Sequence, residues 1–234
     1  MLPPNPACKL AQAISDHLSV FCVTPEAVEA ANLAVYQRRV ARCKALNAKN
    51  FEYVIERLLR PVVRDCAMTH LGIQGDDDLV SRHVYSSHYH TTEDDEKVYQ
   101  RRWDDFKREN PTVDTYDVLR QGCRADLFIS LGDKGDKQLV SIEFKYVPPS
   151  GILAAGRCAR QVLQHISKHD ACVLVAYVAQ DPPSGPFDRS WKRTLEELAG
   201  DPRVFVVAPI RGPAVELPYR AKPAGSQIAA DAPS

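Results

Sequence analysis

The chain has 234 residues and carries 30 basic and 30 acidic side chains, so its formal net charge at pH 7 is zero. A hydrophobic fraction of 44% and a charged fraction of 26% are typical of a globular protein with one main core, and they exclude a wholly disordered or fibrous chain. Because no global field attracts nucleic acid, any such partner would have to bind a local basic surface.

The cysteines and the apolar runs indicate a compartment. Seven cysteines are spread along the chain without a CxxC pair, which disfavours a disulfide scaffold or a zinc site and favours buried reduced thiols. The N-terminus "MLPPNPACKL" lacks the features of a signal peptide, and the longest apolar run, "ACVLVAYVA" at 171–179, is too short to span a bilayer as a helix. We therefore expect a soluble, cytoplasmic protein.

The first predicted elements are helices. Residues 9–47 have helical patterns, with Thr24 as an N-cap and Pro25 at the first helical position, and we expect a helical N-terminal lobe over 1–49. An amphipathic helix follows in "NFEYVIERLLRPVVRDC", which begins at Asn50 and which Pro61 should kink or divide.

A polar stretch separates this helix from the first clear strands. Residues 74–115 are rich in charged and aromatic residues and include a predicted helix over 93–109, and we interpret the stretch as an insertion or surface lobe. The strands "ADLFISL" and "QLVSIEFKYV" follow, and Lys134-Gly135 between them suits a two-residue hairpin loop.

The remaining elements alternate between helix and strand. We predict a helix over about 152–168, the strand "ACVLVAYVA", a helix over about 189–199 and the strand "RVFVVAPI". This order implies an α/β fold with a mixed β-sheet flanked by helices. Residues 211–234 are dominated by Pro, Ala, Gly and Ser, and we expect a largely disordered tail.

Charged residues in the predicted hairpin carry the functional information. Side chains alternate along a strand, so Glu143 and Lys145 share one face. A turn at Lys134-Gly135 places Asp126 directly opposite Glu143, with Cβ atoms about 4.5–5.5 Å apart. Carboxylates held so close repel each other unless a proton or a cation lies between them, and Mg²⁺ meets that need. Lys145 could then reach a metal-bound water or a phosphate oxygen.

An ordinary exposed sheet face would explain the same residues. A Glu-x-Lys triplet occurs by chance about once in a chain of this size, so the triplet alone is weak evidence. A second acidic triplet, "DFK" at 105–107, lies in a predicted helix. Only "EFK" at 143–145 lies in a strand that pairs with another carboxylate-bearing strand.

The residues Arg124-Ala125-Asp126 and Glu143-Phe144-Lys145 resemble the motif of the PD-(D/E)xK nuclease superfamily. In that superfamily an Asp on one strand and a (D/E)-x-K on the next form the metal site, and here Ala125 stands in the place of the usual Pro. The resemblance covers a helix bearing a Glu, the hairpin, a helix and a strand. It implies a restriction-endonuclease-like core over 50–210, with no subfamily assigned.

The resemblance also implies a site and a cofactor. Asp126, Glu143 and the backbone carbonyl of Phe144 would bind Mg²⁺, with Mn²⁺ able to substitute, and Lys145 would orient the attacking water or stabilise developing charge. The family often adds an acidic residue from the first core helix. Here that residue is Glu52 or Glu56, with Glu52 preferred for its place before "YVIERLL", and a solvated helix face would explain either.

The helix after the second strand offers further residues. Some family members carry a Gln here, and Gln161 resembles the Gln of a Q-x-x-x-Y pattern in which His165 takes the Tyr position. Gln161 lies in a polar stripe opposite Cys158, Val162 and Ile166. The stripe would supply a polar contact near the metal, with Gln161 as a catalytic residue, and cations for a phosphate backbone. A solvated helix face would explain the stripe equally well. The predicted nucleic-acid-binding residues are Arg157, Arg160, Gln164 and Lys168.

Histidine pairs offer a weaker alternative metal site. His165 and His169 are four positions apart, and His88 and His90 alternate, yet neither pair has the Glu of an HExxH motif. We expect these histidines to lie on the surface.

The resemblance implies a Mg²⁺-dependent phosphodiesterase, an endonuclease in preference to an exonuclease. DNA is the expected partner, in restriction, repair, mobile-element or phage defence, and RNA or branched DNA could use the same site. A homodimer or a larger defence or repair complex is compatible with double-strand cutting. The alternative is a catalytically silent module of the same fold that binds nucleic acid or protein.

Overall fold

Six helices and six strands form the part of the chain that the structure describes. A computed structural model gives residues 5–41, 49–73, 83–86, 96–110, 125–132, 137–147, 155–179, 184–207 and 209–215. In chain order the elements are α1 (Pro6–Ser19), α2 (Pro25–Ala41), α3 (Lys49–Leu71), β1 (Val84–Ser86), α4 (Glu96–Glu109), β2 (Leu127–Leu131), β3 (Gln138–Val147), α5 (Ala155–Ile166), β4 (Ala171–Ala179), α6 (Ser184–Leu198), β5 (Val204–Val206) and β6 (Ile210–Gly212).

The strands form one open, mixed sheet in the order β1-β2-β3-β4-β5, and β6 also pairs with β4. Strand β2 is antiparallel to both β1 and β3, whereas β4 is parallel to β3, β5 and β6. Every residue of β4 is buried, as expected for a central strand covered on both faces. The predicted α/β fold with a mixed sheet between helices is confirmed.

The register of the hairpin agrees with the prediction. Leu127 pairs with Ile142 and Leu131 with Gln138, which is the register that a turn at Lys134-Gly135 requires, although residues 133–136 lie outside the described part. Slipping one strand by one residue would turn its apolar side chains to the opposite face of the sheet. The apolar pattern therefore holds this register.

Helices α1 and α3 cover one face of the sheet, and α2 rests on α3. The buried face of α1 belongs to the same hydrophobic core as β3 and β4, and the backbone N–H of Ala7 donates to the side chain of Gln138 at 3.1 Å. Buried residues of α1 and α2 therefore belong to the main core. Thr24 caps α2 as predicted, accepting a hydrogen bond from the N–H of Ala27 at 3.3 Å.

Helix α3 continues through Pro61 as one helix, so Pro61 does not divide it. The alternative, a kink at Pro61, stays a prediction. Proline removes one hydrogen bond from the helix, but its ring here is exposed. Leu59 and Val63 on either side of it are fully buried against the sheet. This burial keeps the residues on both sides of Pro61 in one helix.

The opposite face of the sheet is covered by α4, α5 and α6. Helix α4 comes from the segment predicted to be a surface insertion, yet its Trp103 and Phe106 are buried. Their rings stack on Tyr85 of β1, with centroids 4.8 and 5.1 Å away, and pack against Phe128 of β2. The described parts of 74–115 thus supply an edge strand and an aromatic core.

The predicted helices over 152–168 and 189–199 are observed with shifted ends, as α5 and α6. The predicted strand over 203–210 is divided into β5 and β6. Strand β6 extends past position 211, where the disordered tail was expected to begin. Two hydrogen bonds fix the next residues, from the Tyr177 hydroxyl to the carbonyl of Pro213 at 2.8 Å and from the N–H of Val215 to the Tyr146 hydroxyl at 3.1 Å. Order therefore extends to at least Val215, and residues 216–234 lie outside the described part.

Gly212→Ala is expected to destabilise the protein by about 1–3 kcal/mol, because overpacking a filled core has costs of this size. A Cβ at Gly212 would overlap the buried hydroxyl of Tyr177 and lie 2.8 Å from its Cζ atom. Gly200→Ala is the matched control, since nothing lies within 4 Å of that added carbon. Urea denaturation of both variants measures the difference, and equal midpoints would contradict the prediction.

The described cysteines, at positions 8, 22, 66, 158 and 172, are all free thiols. Among the helices that the structure describes, none is long and apolar enough to cross a membrane.

Candidate functional site

The candidate site lies at an open edge of β3. Strand β2 begins at Leu127, whereas β3 continues to Val147 and pairs with β4 throughout that extension. From Phe144 onward, the other edge of β3 has no strand partner within the described residues. Asp126 lies at this edge: its N–H donates to the carbonyl of Ile142 at 3.0 Å, and its Oδ2 accepts the N–H of Phe144 at 2.7 Å.

The same geometry directs a backbone oxygen toward Asp126. In a strand, the N–H and the C=O of one residue point to the same edge. Because the N–H of Phe144 bonds Asp126, the carbonyl of Phe144 faces this open edge too. The expected metal ligands Asp126 and the Phe144 carbonyl therefore lie on one side of β3.

Glu143 is buried on the face of the sheet that α5 covers. Its Oε1 forms an ion pair with Nζ of Lys145, and its Oε2 lies 3.4 Å from Nε2 of His165. Burial alone would raise the pKa of this carboxyl, but Lys145 and His165 outweigh burial and hold the pKa below its usual value. Glu143 is therefore ionised at neutral pH.

Lys145 is surrounded by carboxylates. Burial lowers the pKa of its ammonium, but Glu143, Asp126 and Glu52 together raise that pKa above its usual value. Nζ lies 4.0 Å from Glu52 of α3. The side chain is mostly buried, so its positive charge persists within a low-dielectric site.

Helix α3 brings two acidic residues to the site from the other face of the sheet. Glu56 is only 2% exposed, and its charge contributes to raising the pKa of Asp126. The side chain of Glu52, one turn earlier, is 41% exposed and meets Lys145 at the rim. Both lie near the site, and Glu56 is the one that is buried beside Asp126.

The ionisation of Asp126 reflects this crowding. Burial and the charges of Glu143 and Glu56 raise the pKa of Asp126 well above its usual value, against the opposing effects of Lys145 and the Phe144 amide. A carboxyl with a raised pKa retains a proton to higher pH. Asp126 thus lies close to two other buried acidic side chains and to the Lys145 ammonium, and this environment favours its protonated form.

The donors at this edge are carboxylate and carbonyl oxygens, which hard divalent cations prefer. Within the described residues, no three Asp, Glu, His or Cys side chains already converge as a ligand set. Lys145 and the Phe144 N–H occupy oxygens that a cation would need. The donor chemistry therefore fits a divalent cation, which would compete with these partners for Asp126 and Glu143.

The polar stripe on α5 is largely exposed. Arg160, Gln164 and Lys168 are exposed and Gln161 is half-buried. The side chain of Arg157 lies outside the described residues. The opposite side of the helix is buried, as predicted, through Cys158, Val162 and Ile166. The stripe is therefore a surface and adds no described ligand to the acidic cluster.

The prediction of surface histidines was wrong for the pair on α5 and beyond its end. His165 is 1% exposed and His169 is 3% exposed. Their rings stack with centroids 5.7 Å apart, and the ring of His169 meets Phe128 edge-on at 5.5 Å. The signal was available in the sequence, since His165 lies next to Ile166 and three positions from Val162 on the apolar side of the helix.

His88 and His90 lie outside the described residues. The structure thus brings Asp126, Glu143 and Lys145 together with Glu52 and Glu56 of α3, and it adds His165, which was not proposed for the site. Comparison of the chain with protein-family models, with curated proteins and with solved structures finds no match.

Proposed function

We propose that the protein is a metal-dependent nuclease that hydrolyses phosphodiester bonds, with DNA as its expected substrate. The order of α3, the β2–β3 hairpin, α5 and β4 is similar to the arrangement of the PD-(D/E)xK superfamily. Asp126 lies directly before β2 and Glu143-Phe144-Lys145 lie in β3, in the same order as the residues of the superfamily's motif. A restriction-endonuclease-like core is part of the same proposal.

The observation that carries the proposal is the position of Asp126 at the open edge of β3, where its Oδ2 accepts the N–H of Phe144 at 2.7 Å near the buried carboxyl groups of Glu143 and Glu56. The raised pKa of Asp126 agrees with this crowding. A cluster of this kind destabilises the folded protein unless a proton or a cation offsets it, because buried like charges repel at low dielectric. A divalent cation would displace the proton from Asp126 and neutralise the surplus charge. Asp126, Glu143 and Glu56 would hold Mg²⁺ or Mn²⁺, with the Phe144 carbonyl at the same edge.

When bound, the metal would polarise the phosphodiester and lower the pKa of a water molecule. The chain's own part is to supply charge and position. Lys145 is held by Glu143 and Glu52, and its ammonium would stabilise the charge that develops on the phosphoryl oxygens or orient the attacking water. Asp126 must lose its proton before it can act as a ligand, so acid would inhibit the reaction.

Cations on the surface would bind the nucleic-acid backbone. Arg160 and Lys168 are exposed on α5 and just past its end, and Gln164 lies between them as a neutral donor. Contacts of this kind bind phosphates without reading sequence, and they make affinity fall with salt.

Purified protein should cleave nucleic acid with Mg²⁺ or Mn²⁺ and not with EDTA, in an assay on plasmid, linear duplex, single-stranded DNA and RNA. Glu56→Gln should lower the rate at least about 100-fold, as expected for a metal-site residue. Glu52→Gln should change it by less than about fivefold, because a partly exposed ion pair contributes only about 0–1 kcal/mol. In calorimetric titration with Mn²⁺, Glu56→Gln should also lose more metal affinity than Glu52→Gln.

Cleavage that persists in EDTA, or that is equal in the Glu56→Gln preparation, would point to a contaminating nuclease and contradict the proposal. Cleavage of a closed circular plasmid identifies an endonuclease. Degradation of linear DNA from its ends, with no cleavage of the closed circle, identifies an exonuclease.

The second candidate function is a noncatalytic module of the same fold that binds nucleic acid or a protein. The ion pair between Glu143 and Lys145 favours it, because this pair satisfies the carboxylate without a metal. Folded protein that binds DNA but neither binds divalent cations nor cleaves would support this second function.

A further inference from the structure

His165 links helix α5 to the acidic cluster. Its Nε2 lies 3.4 Å from Oε2 of Glu143, and both side chains are almost fully buried. Burial excludes water from this contact, so the two groups depend on protein partners. Glu143 is thus held between an ammonium on its own strand and an imidazole from the covering helix.

The imidazole is itself held in place. The carbonyl of His165 accepts the N–H groups of Lys168 and His169, at 2.9 and 2.8 Å, which closes the last turn of α5. The ring stacks on His169, which meets Phe128, and Phe128 lies two residues beyond Asp126 on β2. The histidine pair therefore packs against both strands that carry the acids.

The contact defines a hydrogen-bond direction. A carboxylate can only accept, so Nε2 of His165 must carry the proton, and a neutral ring then has a bare Nδ1. Histidines and carboxylates in such contacts orient metal ligands in many proteins, and losing one typically costs about 10–100-fold in metal affinity or activity.

We propose that His165 is a positioning residue, which donates its Nε2–H to Glu143 and fixes the orientation in which this carboxylate binds a divalent cation. The proposal rests on the proposed function. It assigns α5 a role in building the metal site, in addition to its exposed cationic surface.

Two substitutions separate the hydrogen bond from the packing of the ring. His165→Gln retains an N–H donor near the position of Nε2, whereas His165→Leu removes it, and both lose the aromatic ring. We expect His165→Leu to weaken Mn²⁺ binding by about 10–100-fold in calorimetry, and His165→Gln to recover most of the loss. The cleavage rates of the variants should follow the same order. The variants should need a higher metal concentration for cleavage, and their rates should differ less from the wild type at saturating metal.

His83→Leu is the matched control, because His83 contacts a backbone carbonyl of β2, at 2.9 Å, on another part of the strand. It should leave Mn²⁺ affinity unchanged. If His165→Leu does not fold, His165→Phe replaces it in the same comparison. A long-range ¹H–¹⁵N spectrum of the metal-free wild type should show His165 with its proton on Nε2.

The outcomes distinguish the two proposals. A wild type that binds no Mn²⁺ and cleaves nothing refutes the nuclease function, and the positioning role with it. Wild-type metal binding with unchanged affinity in His165→Leu overturns the positioning role alone. Equal losses of Mn²⁺ affinity in His165→Gln and His165→Leu would also overturn the positioning role, since the ring or direct ligation of the metal would then matter more than the hydrogen bond. A proton on Nδ1 of His165 in the wild type would overturn it as well.

Discussion

Lys145→Met is expected to lower the rate of metal-dependent cleavage by about 100–1000-fold, the usual effect of removing one preorganised electrostatic contact. The ammonium is the single cation in contact with Glu143 and Glu52 in the described site, and methionine keeps most of its length and bulk. Single-turnover cleavage of the preferred substrate at saturating Mg²⁺ measures the chemical step.

The same substitution should destabilise the metal-free protein, because removing one partner of a buried ion pair leaves the other uncompensated. Such losses are about 3–5 kcal/mol at neutral pH, and protonation of Glu143 at low pH should reduce them. Added Mn²⁺ should also reduce them, since a cation would replace the missing charge. Chemical denaturation of the wild type and the variant, once in EDTA and once in Mn²⁺, measures the loss of stability without and with the cation.

Lys107→Met provides the matched control. Lys107 ends the other acidic triplet, Asp105-Phe106-Lys107, but it lies on α4 and pairs with Asp104 at 3.3 Å on the surface. Its loss should affect neither cleavage nor metal affinity. If both lysine variants cleave like the wild type, Lys145 has no part in catalysis and the proposed mechanism fails.

Asp126→Asn is expected to abolish cleavage and yet to stabilise the metal-free protein above neutral pH. The pKa of Asp126 is raised in the folded state from a reference value of 3.8, so the folded protein holds a proton that the unfolded chain has released. Between the two pKa values, stability falls as pH rises, by at most about 1.4 kcal/mol per pH unit. Asparagine carries no titrating proton, so the slope should disappear.

The other two charges of the site titrate outside this range. The pKa of Glu143 is lowered, so its stabilising effect is complete above its reference value of 4.5 and is lost as pH falls through the folded pKa. The pKa of Lys145 is raised, so its effect is complete below 10.5 and is lost at higher pH. Of these three groups, only Asp126 should produce a slope between pH 5 and 8.

Denaturation in EDTA at several pH values measures this slope, and Asp105→Asn on the exposed side of α4 is the control. Saturating Mg²⁺ should flatten the slope in the wild type, because the cation favours the ionised carboxylate. A wild type and an Asp126→Asn variant with the same pH dependence would show that Asp126 titrates normally.

Local signals predicted the hairpin and much of the sheet. Alternating apolar residues and a short polar turn were enough to give the register that sets Asp126 near Glu143. The uninterrupted apolar run of β4 predicts a buried strand, and Thr24 predicts the start of a helix. These features depend on residues that are near each other in sequence, so their patterns can be read directly.

Features that depend on how elements pack could not be read in this way. Glu52 and Glu56 lie one turn apart on the same side of α3, and only the position of that helix over the edge of β3 makes Glu56 the buried one. The burial of His165 was indicated by its apolar neighbours on α5, but its contact with Glu143 depends on how that helix packs against β3. Trp103 is buried because Phe128 faces α4, which requires knowledge of the sheet.

The position of α1 has a consequence for synthesis of the protein on the ribosome. Its N-terminal turn bonds Gln138, across 131 residues of chain, and its apolar side rests on β3 and β4. The apolar side of α1 therefore cannot pack against the sheet until the chain has been made at least through β4. Contacts between such distant residues slow folding and prolong exposure to aggregation and to chaperones. The acidic cluster also needs β3 and α5, so a growing chain cannot complete the site before these elements have been made and packed.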